Sequence, residues 1–305
     1  MLTTEQRIRM LEMPIEPFDL VMDTDAYNEI DDQYAIAYAF KAKEKATLKA
    51  LYAAPFFNPL STSPGDGMEQ SYHEILKLLK LAGEEIPVYR GSTSYLPDEK
   101  TPVISDAAQN LAERAMTYSS DRPLYVAAIG AITNVASALL IKPEIADRMV
   151  VVWMGGHALE WPDNYEFNCQ QDVAAARVVF GSGVPLVMIP GMGVTSALTT
   201  TKPELEYWLK GKNALCDYLV EHTIESSEKY AKGKVWSRPV WDVASIGWLM
   251  SGGRDTKFVL DKLIHTPIPE YDHFYAHDMR RAMCKYCYYV NRDALFADLF
   301  EKLTK

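Results

Sequence analysis

Four aspartates fall within the ten residues from Asp23 to Asp32, in the stretch Leu20-Val21-Met22-Asp23-Thr24-Asp25-Ala26-Tyr27-Asn28-Glu29-Ile30-Asp31-Asp32. Carboxylate oxygens are the preferred ligands of hard cations such as Ca²⁺ and Mg²⁺. Without a cation, so many carboxylates held together repel one another. Aspartate also caps helices and starts turns, which accounts for one or two of the four and leaves the others unexplained. The spacing does not fit an EF-hand. Counting from Asp23, the sixth position is Asn28 rather than Gly and the twelfth is Tyr34 rather than Glu.

The elements around this cluster are legible from hydrophobic runs. Apolar stretches rich in Val, Ile and Leu occupy residues 18–22, 48–54, 86–89, 124–129, 149–154 and 186–189. Their lack of alternation fits strands covered on both faces. Helical patterns lie between them, near 32–43, 69–82, 106–118, 133–141 and 172–180. In the second of these, Ile75, Leu76, Leu79 and Leu81 recur at helical spacing. Repeated β-then-α units predict an α/β fold with an open, mostly parallel sheet flanked by helices. After Pro190 the pattern becomes mainly helical, with Pro203 and Glu204 in a first turn, helices over 213–229, 242–250 and 293–302, and an outer strand over 258–264. We read residues 1–305 as one domain with a helical C-terminal capping region. Such sheets place their sites at the carboxyl ends of strands, where the four aspartates fall.

Other strand ends carry polar residues too. Asn58 follows the second run in Ala53-Ala54-Pro55-Phe56-Phe57-Asn58. The fourth continues Val126-Ala127-Ala128-Ile129-Gly130-Ala131-Ile132-Thr133-Asn134-Val135-Ala136, where Thr133 also suits a helix cap. The fifth continues Met154-Gly155-Gly156, with Asn164 and Glu166-Phe167-Asn168 further on. A carboxylate and amide pair suits sugar hydroxyls, which both donate and accept. A polar surface loop reads equally well. Far along the chain, Pro239-Val240-Trp241-Asp242-Val243-Ala244 opens another helix, and a buried Trp beside a capping Asp would look the same.

Taken in order, these segments resemble the nucleoside hydrolases, whose signature Asp-x-Asp-Pro-Gly-x-Asp-Asp is followed by Thr-Asn-Val/Ile-Ala, Met-Gly-Gly, Glu-Phe/Trp-Asn and a late Asp. Here Ala26–Ile30 replaces Pro-Gly-x, so the loop is two residues longer, and the loop between Gly156 and Glu166 is two residues shorter. The resemblance implies a Ca²⁺ ion held by Asp25, Asp32, Asp242 and the Ile129 carbonyl. It implies that Asp25 also serves as general base and that Asp23 orients the loop. Asp31, Asn58, Asn164, Glu166 and Asn168 would bind the sugar. A His precedes the late Asp in the pyrimidine-accepting branch and a Trp in the purine-specific branch. Trp241 therefore implies a stacking role under a purine base. The expected reaction is hydrolysis of the N-glycosidic bond of a small-molecule nucleoside by a homodimer or homotetramer. One alternative is a metal-dependent phosphatase-type hydrolase, although Tyr27 stands where the haloacid dehalogenase type has Thr or Val. Another is a non-catalytic nucleoside- or sugar-binding protein on the same scaffold.

The bulk properties agree. The 305 residues are 48% hydrophobic and carry a formal net charge of −10, a poor match for nucleic acid or anionic membrane. The first residues lack the apolar segment of a signal peptide, which leads to an expected cytoplasmic location. The four cysteines then read as free thiols. Cys284 and Cys287 form a CxxC pair that, lacking a second such pair, reads as packed thiols rather than zinc ligands.

Overall fold

The structure, a computed structural model, describes residues 2–305. A capped helix α1 (Thr4–Met10) precedes β1 (Phe18–Thr24), α2 (Asp31–Lys41), β2 (Ala46–Ala53), α3 (Pro64–Ala82), β3 (Val88–Arg90), α4 (Asp106–Ala115), β4 (Leu124–Ala128), α5 (Thr133–Ile141), β5 (Met149–Met154), α6 (Phe167–Gln171), α7 (Val173–Gly181) and β6 (Leu186–Ile189). Then come β7 (Thr199–Thr200), α8 (Lys202–Trp208), α9 (Ala214–Ala231), β8 (Arg238–Pro239), α10 (Val243–Met250), β9 (Val259–His265), β10 (Ile268–Pro269), β11 (Tyr275–Ala276), β12 (Met283–Val290) and α11 (Arg292–Leu303). Eight strands form one sheet in the order β3-β2-β1-β4-β5-β6-β12-β9, parallel except for the edge strand β9. The chain runs outward from β1 through β2 to β3, then returns to β4 beside β1. That reversal is the switch point where open α/β sheets bind ligands.

Burial explains the unalternating runs. Every residue of β4, β5 and β6 is buried, because helices cover both faces. One face packs Leu20, Met22 and Val152 against α2 and α10, while the other packs Val21, Val126 and Val151 against α4, α5 and α7. In α3 it is Ile75, Leu78 and Leu79 that face the core, whereas Leu76 is 40% exposed. Leu81 also packs on the core, so of the four residues read at helical spacing only Leu76 faces outward.

The main departure is β12, which lies in the region read as helical. It enters the sheet between β6 and β9. Its pattern hides because Lys285 is buried, its ammonium paired with Asp261 at 2.8 Å. Cys284 packs with Met188 on one face of the sheet, and Cys287 packs with Val290 on the other, so the CxxC thiols are core groups on opposite faces. Among the described residues no helix is long and apolar enough to cross a membrane.

Candidate active site

The carboxyl ends of β1 and β4 are stitched together before any side chain acts. The Ile129 N–H donates to the Asp23 carbonyl at 2.8 Å, and the Ala54 N–H donates to the Thr24 carbonyl at 2.8 Å. Asn134, in the first turn of α5, completes this junction. Its amide nitrogen donates to Asp23 Oδ1 at 2.8 Å and to the Ala53 carbonyl at 3.2 Å, while its oxygen accepts from the Ser92 N–H at 2.7 Å. One amide thus ties together the ends of three strands. The Thr-Asn signature contained it, yet a strand end with a helix cap explained those residues equally well. Thr133 caps nothing: its hydroxyl donates to Asp172 at 2.7 Å.

The aspartates converge on this junction. Asp31 and Asp32 form the buried first turn of α2, where the helix dipole favours negative charge. Asp242 arrives from just before α10. Carboxylate oxygens of Asp31, Asp32 and Asp242 lie within 4.8 Å of one another, all buried. Asp25 is outside this trio but lines the same cleft, and both of its oxygens are buried without a hydrogen-bond partner. Burial holds the Asp25, Asp32 and Asp242 carboxyls well above the usual carboxylate range, and the neighbouring carboxylates push in the same direction. Burial raises Asp31 to about 7, with Glu29 adding to the effect. Asp23 also rises to about 7 through burial, against the hydrogen bond from Asn134. Buried carboxylates are normally paired or bound to a metal. The neutral side-chain partners are few: the Asn134 amide donates to Asp23 at 2.8 Å, the Thr24 hydroxyl donates to Asp32 at 2.5 Å, and Asp25 has none. Orphaned oxygens and hard donors fit a divalent cation of the Ca²⁺ or Mg²⁺ kind.

These groups open into a cleft of about 210 Å³. Of the residues expected to bind or act, Asp25, Asp31, Asp32, Ile129, Glu166, Asn168, Trp241 and Asp242 line it. Glu166 is held at the start of α6, accepting from the N–H groups of Gly156 (2.7 Å), Asn168 (2.9 Å) and Cys169 (2.9 Å). Burial nevertheless raises its carboxyl to about 7. The Asn168 amide nitrogen donates to the carbonyls of Ile129 (3.2 Å) and Met154 (3.1 Å), fixing the side chain across two strand ends.

Asn58 and Asn164 lie outside the cleft-lining residues, and both amides serve as struts. Asn58 donates to Asn28 Oδ1 at 2.6 Å and accepts from the Leu60 N–H at 2.8 Å. Asn164 accepts from the His157 N–H at 2.8 Å and donates to Cys169 Sγ at 3.3 Å. Each supports a residue that does line the cleft. The cleft is also lined by His157, a leaving-group candidate in the sequence alongside His73, His222 and Tyr230 that no motif placed, and by residues given no role there: Asn28 and Glu29 from the longer loop, with Tyr165, Phe167, Gly191 and Met192. Glu29 also pairs with Arg238 at 2.6 Å, bracing the longer loop against β8. The cleft lining contains six carboxylates and no Lys or Arg among the described residues. A phosphate ester would therefore depend on the bound cation alone, with no basic side chain in the lining to hold it.

Residues 20–271 match the model of the inosine-uridine preferring nucleoside hydrolase family. The chain belongs to this family. Among curated nucleoside hydrolases it is 29% identical over 161 residues to the pyrimidine-specific ribonucleoside hydrolase RihA of Salmonella schwarzengrund, a match covering 51% of each chain. The alignment thus spans about half the length of the curated relatives it matches. Solved nucleoside hydrolases share the fold along nearly the whole chain. The purine-preferring ribonucleoside hydrolase of Gardnerella vaginalis superposes with a TM-score of 0.75 at 20% identity, covering 94% of this chain and 98% of that one. The inosine-uridine preferring nucleoside hydrolase of Bacillus anthracis superposes with a TM-score of 0.68 at 16% identity, covering 94% and 99%.

In this member of the family, Gly130 leaves room for Asp25. A Cβ at Gly130 would stand 2.7 Å from Asp25 Oδ1 and 3.1 Å from its backbone nitrogen. The loop has little freedom to yield, since the Trp153 indole donates to the Gly130 carbonyl at 3.1 Å. We therefore predict that Gly130→Ala weakens divalent-cation binding about 10- to 100-fold, as displaced supporting groups do at metal sites. Calorimetric titration with Ca²⁺ checks this, and an unchanged affinity would remove the steric argument.

Proposed function

We propose that this protein hydrolyses the N-glycosidic bond of nucleosides, preferring purines, with Ca²⁺ held by Asp25, Asp32, Asp242 and the Ile129 carbonyl. The observation that carries this reading is the unpartnered, fully buried carboxylate of Asp25 beside three other buried aspartates, in a cleft that also presents Glu166 and Asn168. When bound, the cation supplies a lowered pKa to the attacking water. Asp25 accepts that water's proton, because its oxygens are committed to no other donor. Asp31, Glu166 and Asn168 hold ribose hydroxyls. The sugar develops positive charge as the bond breaks, as in other glycoside hydrolyses. Six surrounding carboxylates favour that charge electrostatically.

The base preference rests on Trp241, which is half-buried, packs on the core and lines the cleft. The family does not decide this point, since the relatives named above include a pyrimidine-specific enzyme and a purine-preferring one. Aromatic stacking contributes about 0.5–1.5 kcal/mol beyond burial, up to roughly tenfold in rate. The test is base release from inosine, guanosine, uridine and cytidine by the unmodified protein and by Trp241→Ala. The expected result is faster purine release, with a larger loss for purines in the variant. Equal losses would reduce Trp241 to packing, and faster release from uridine than inosine would reject the purine preference.

A further inference from the structure

Breaking the C1′–N bond leaves an electron pair on the base, and some group must receive that charge. The aspartates cannot, being anionic or short of donors. The cleft lining offers few donors on its other side. Tyr165 is 57% exposed, so its hydroxyl works in water, where a hydrogen bond gains little. The Asn168 nitrogen is already spent on two carbonyls. His157 remains.

His157 is held more firmly than a loop residue normally is. Gly156 before it has φ +77°. The Gly191 N–H donates to the Gly156 carbonyl at 2.8 Å and the Ala158 N–H donates to the Met192 carbonyl at 3.0 Å, so the segment is laced to the loop after β6. Asn164 takes the backbone N–H of His157 itself. The ring is then fixed by the Met192 N–H, which donates to Nδ1 at 3.2 Å. That contact sets the tautomer. Nδ1 is the acceptor, so the neutral ring carries its hydrogen on Nε2. Nε2 has no protein partner among the described residues and is not a buried atom, and the residue lines the cleft. Burial lowers the pKa of the ring, against a weaker opposing pull from Asp163, which keeps the ring neutral at physiological pH.

We propose that the Nε2–H of His157 donates a hydrogen bond to an acceptor atom of the departing nucleobase, stabilising the negative charge that develops there. This rests on the reading of the cleft as a nucleoside hydrolase site. A neutral imidazole suits the role because its donor is aimed in advance and its own charge never changes, as with other preorganised donors facing developing anions. The base keeps the electron pair of the broken bond and takes its proton from solvent. The substrate class this selects is N-ribosides whose base carries a lone-pair acceptor, rather than ribosides in general.

The experiment compares inosine with 4-nitrophenyl riboside, whose leaving group is a stable anion without help, using the unmodified protein, His157→Phe and His157→Gln. The expected result is a fall of about 100-fold in kcat for inosine with His157→Phe, little change for the nitrophenyl substrate, and partial recovery with His157→Gln, which restores an N–H donor. Equal losses on both substrates, or no loss on inosine, would overturn the role of His157. Failure of the unmodified protein to cleave either substrate would instead overturn the nucleoside hydrolase reading.

Discussion

Asp25→Asn is expected to lower base release by about 10³-fold, within the range ascribed to a general base, while leaving the protein folded. The amide keeps the shape of the carboxylate and loses its capacity to take a proton from water. The expectation follows from an unusual hydrogen-bond inventory: both Asp25 oxygens are buried and unpartnered, beside Asp32, Asp31 and Glu29, whose charges all oppose its ionisation. A group so placed destabilises the fold in the absence of a cation. The same substitution should therefore leave the melting temperature of cation-free protein unchanged or higher at pH 8, since it removes one repelling charge. Thermal melts beside single-turnover base release separate the two effects. Near-normal turnover by a folded, cation-loaded Asp25→Asn protein would remove Asp25 from the role of base.

Removing the divalent cation should abolish base release and make stability fall as pH rises. The sign follows from the direction of the shifts. Asp23, Asp31 and Glu166 have folded-state pKa values of about 7, and Asp25, Asp32 and Asp242 lie well above the carboxylate range. An unfolded chain releases these protons near pH 4, so between there and neutrality the folded state binds more protons than the unfolded one. Stability is then fully present below about pH 4 as far as these groups decide it, and is lost as pH rises through 7. For Asp23 alone, ionisation in the folded state costs roughly 4 kcal/mol. A cation reverses the trend, because the ionised carboxylates are its ligands and binding displaces their protons. At about 100 times its Kd it contributes roughly 2.7 kcal/mol. Melting curves at pH 6 and pH 8, with chelator and with Ca²⁺ or Mg²⁺, should show a gain of a few degrees on loading that is larger at pH 8. A melting temperature indifferent to cation at both pH values would sink the metal assignment, and a larger gain with Mg²⁺ would exclude Ca²⁺ as the preferred ion.

The sequence by itself determined the β-then-α alternation and the strand ends where chemistry collects. Both follow from local properties. Buried parallel strands must be continuously apolar, and a carboxylate at such a strand end is conspicuous within a few residues of chain. β5, β6 and α5 were delimited to the residue for this reason. Asp25, Asp31 and Asp32 were legible because the strand and helix that carry them are adjacent in sequence. That Asp242, Glu166 and Asn168 share a cleft with Asp25 was legible through family order alone, since no local rule relates residue 242 to residue 25.

Tertiary structure decided what spacing cannot carry. β12 reaches the sheet despite a lysine in its middle, because Asp261 on the neighbouring strand neutralises that charge across a contact invisible in the chain. Asn58 and Asn164 look in sequence like sugar ligands, and their amides also tie loops together, Asn58 to Asn28 and Leu60 and Asn164 to His157 and Cys169. An amide's role depends on which partners reach it, and those partners sit on other loops. The same holds for His157, one of several candidates that no motif placed, until the Met192 N–H, arriving after another strand, fixes its ring and leaves Nε2 without a protein partner. Residue types and strand ends are written locally. Which atoms remain free to act is settled only after every neighbour has taken its hydrogen bonds.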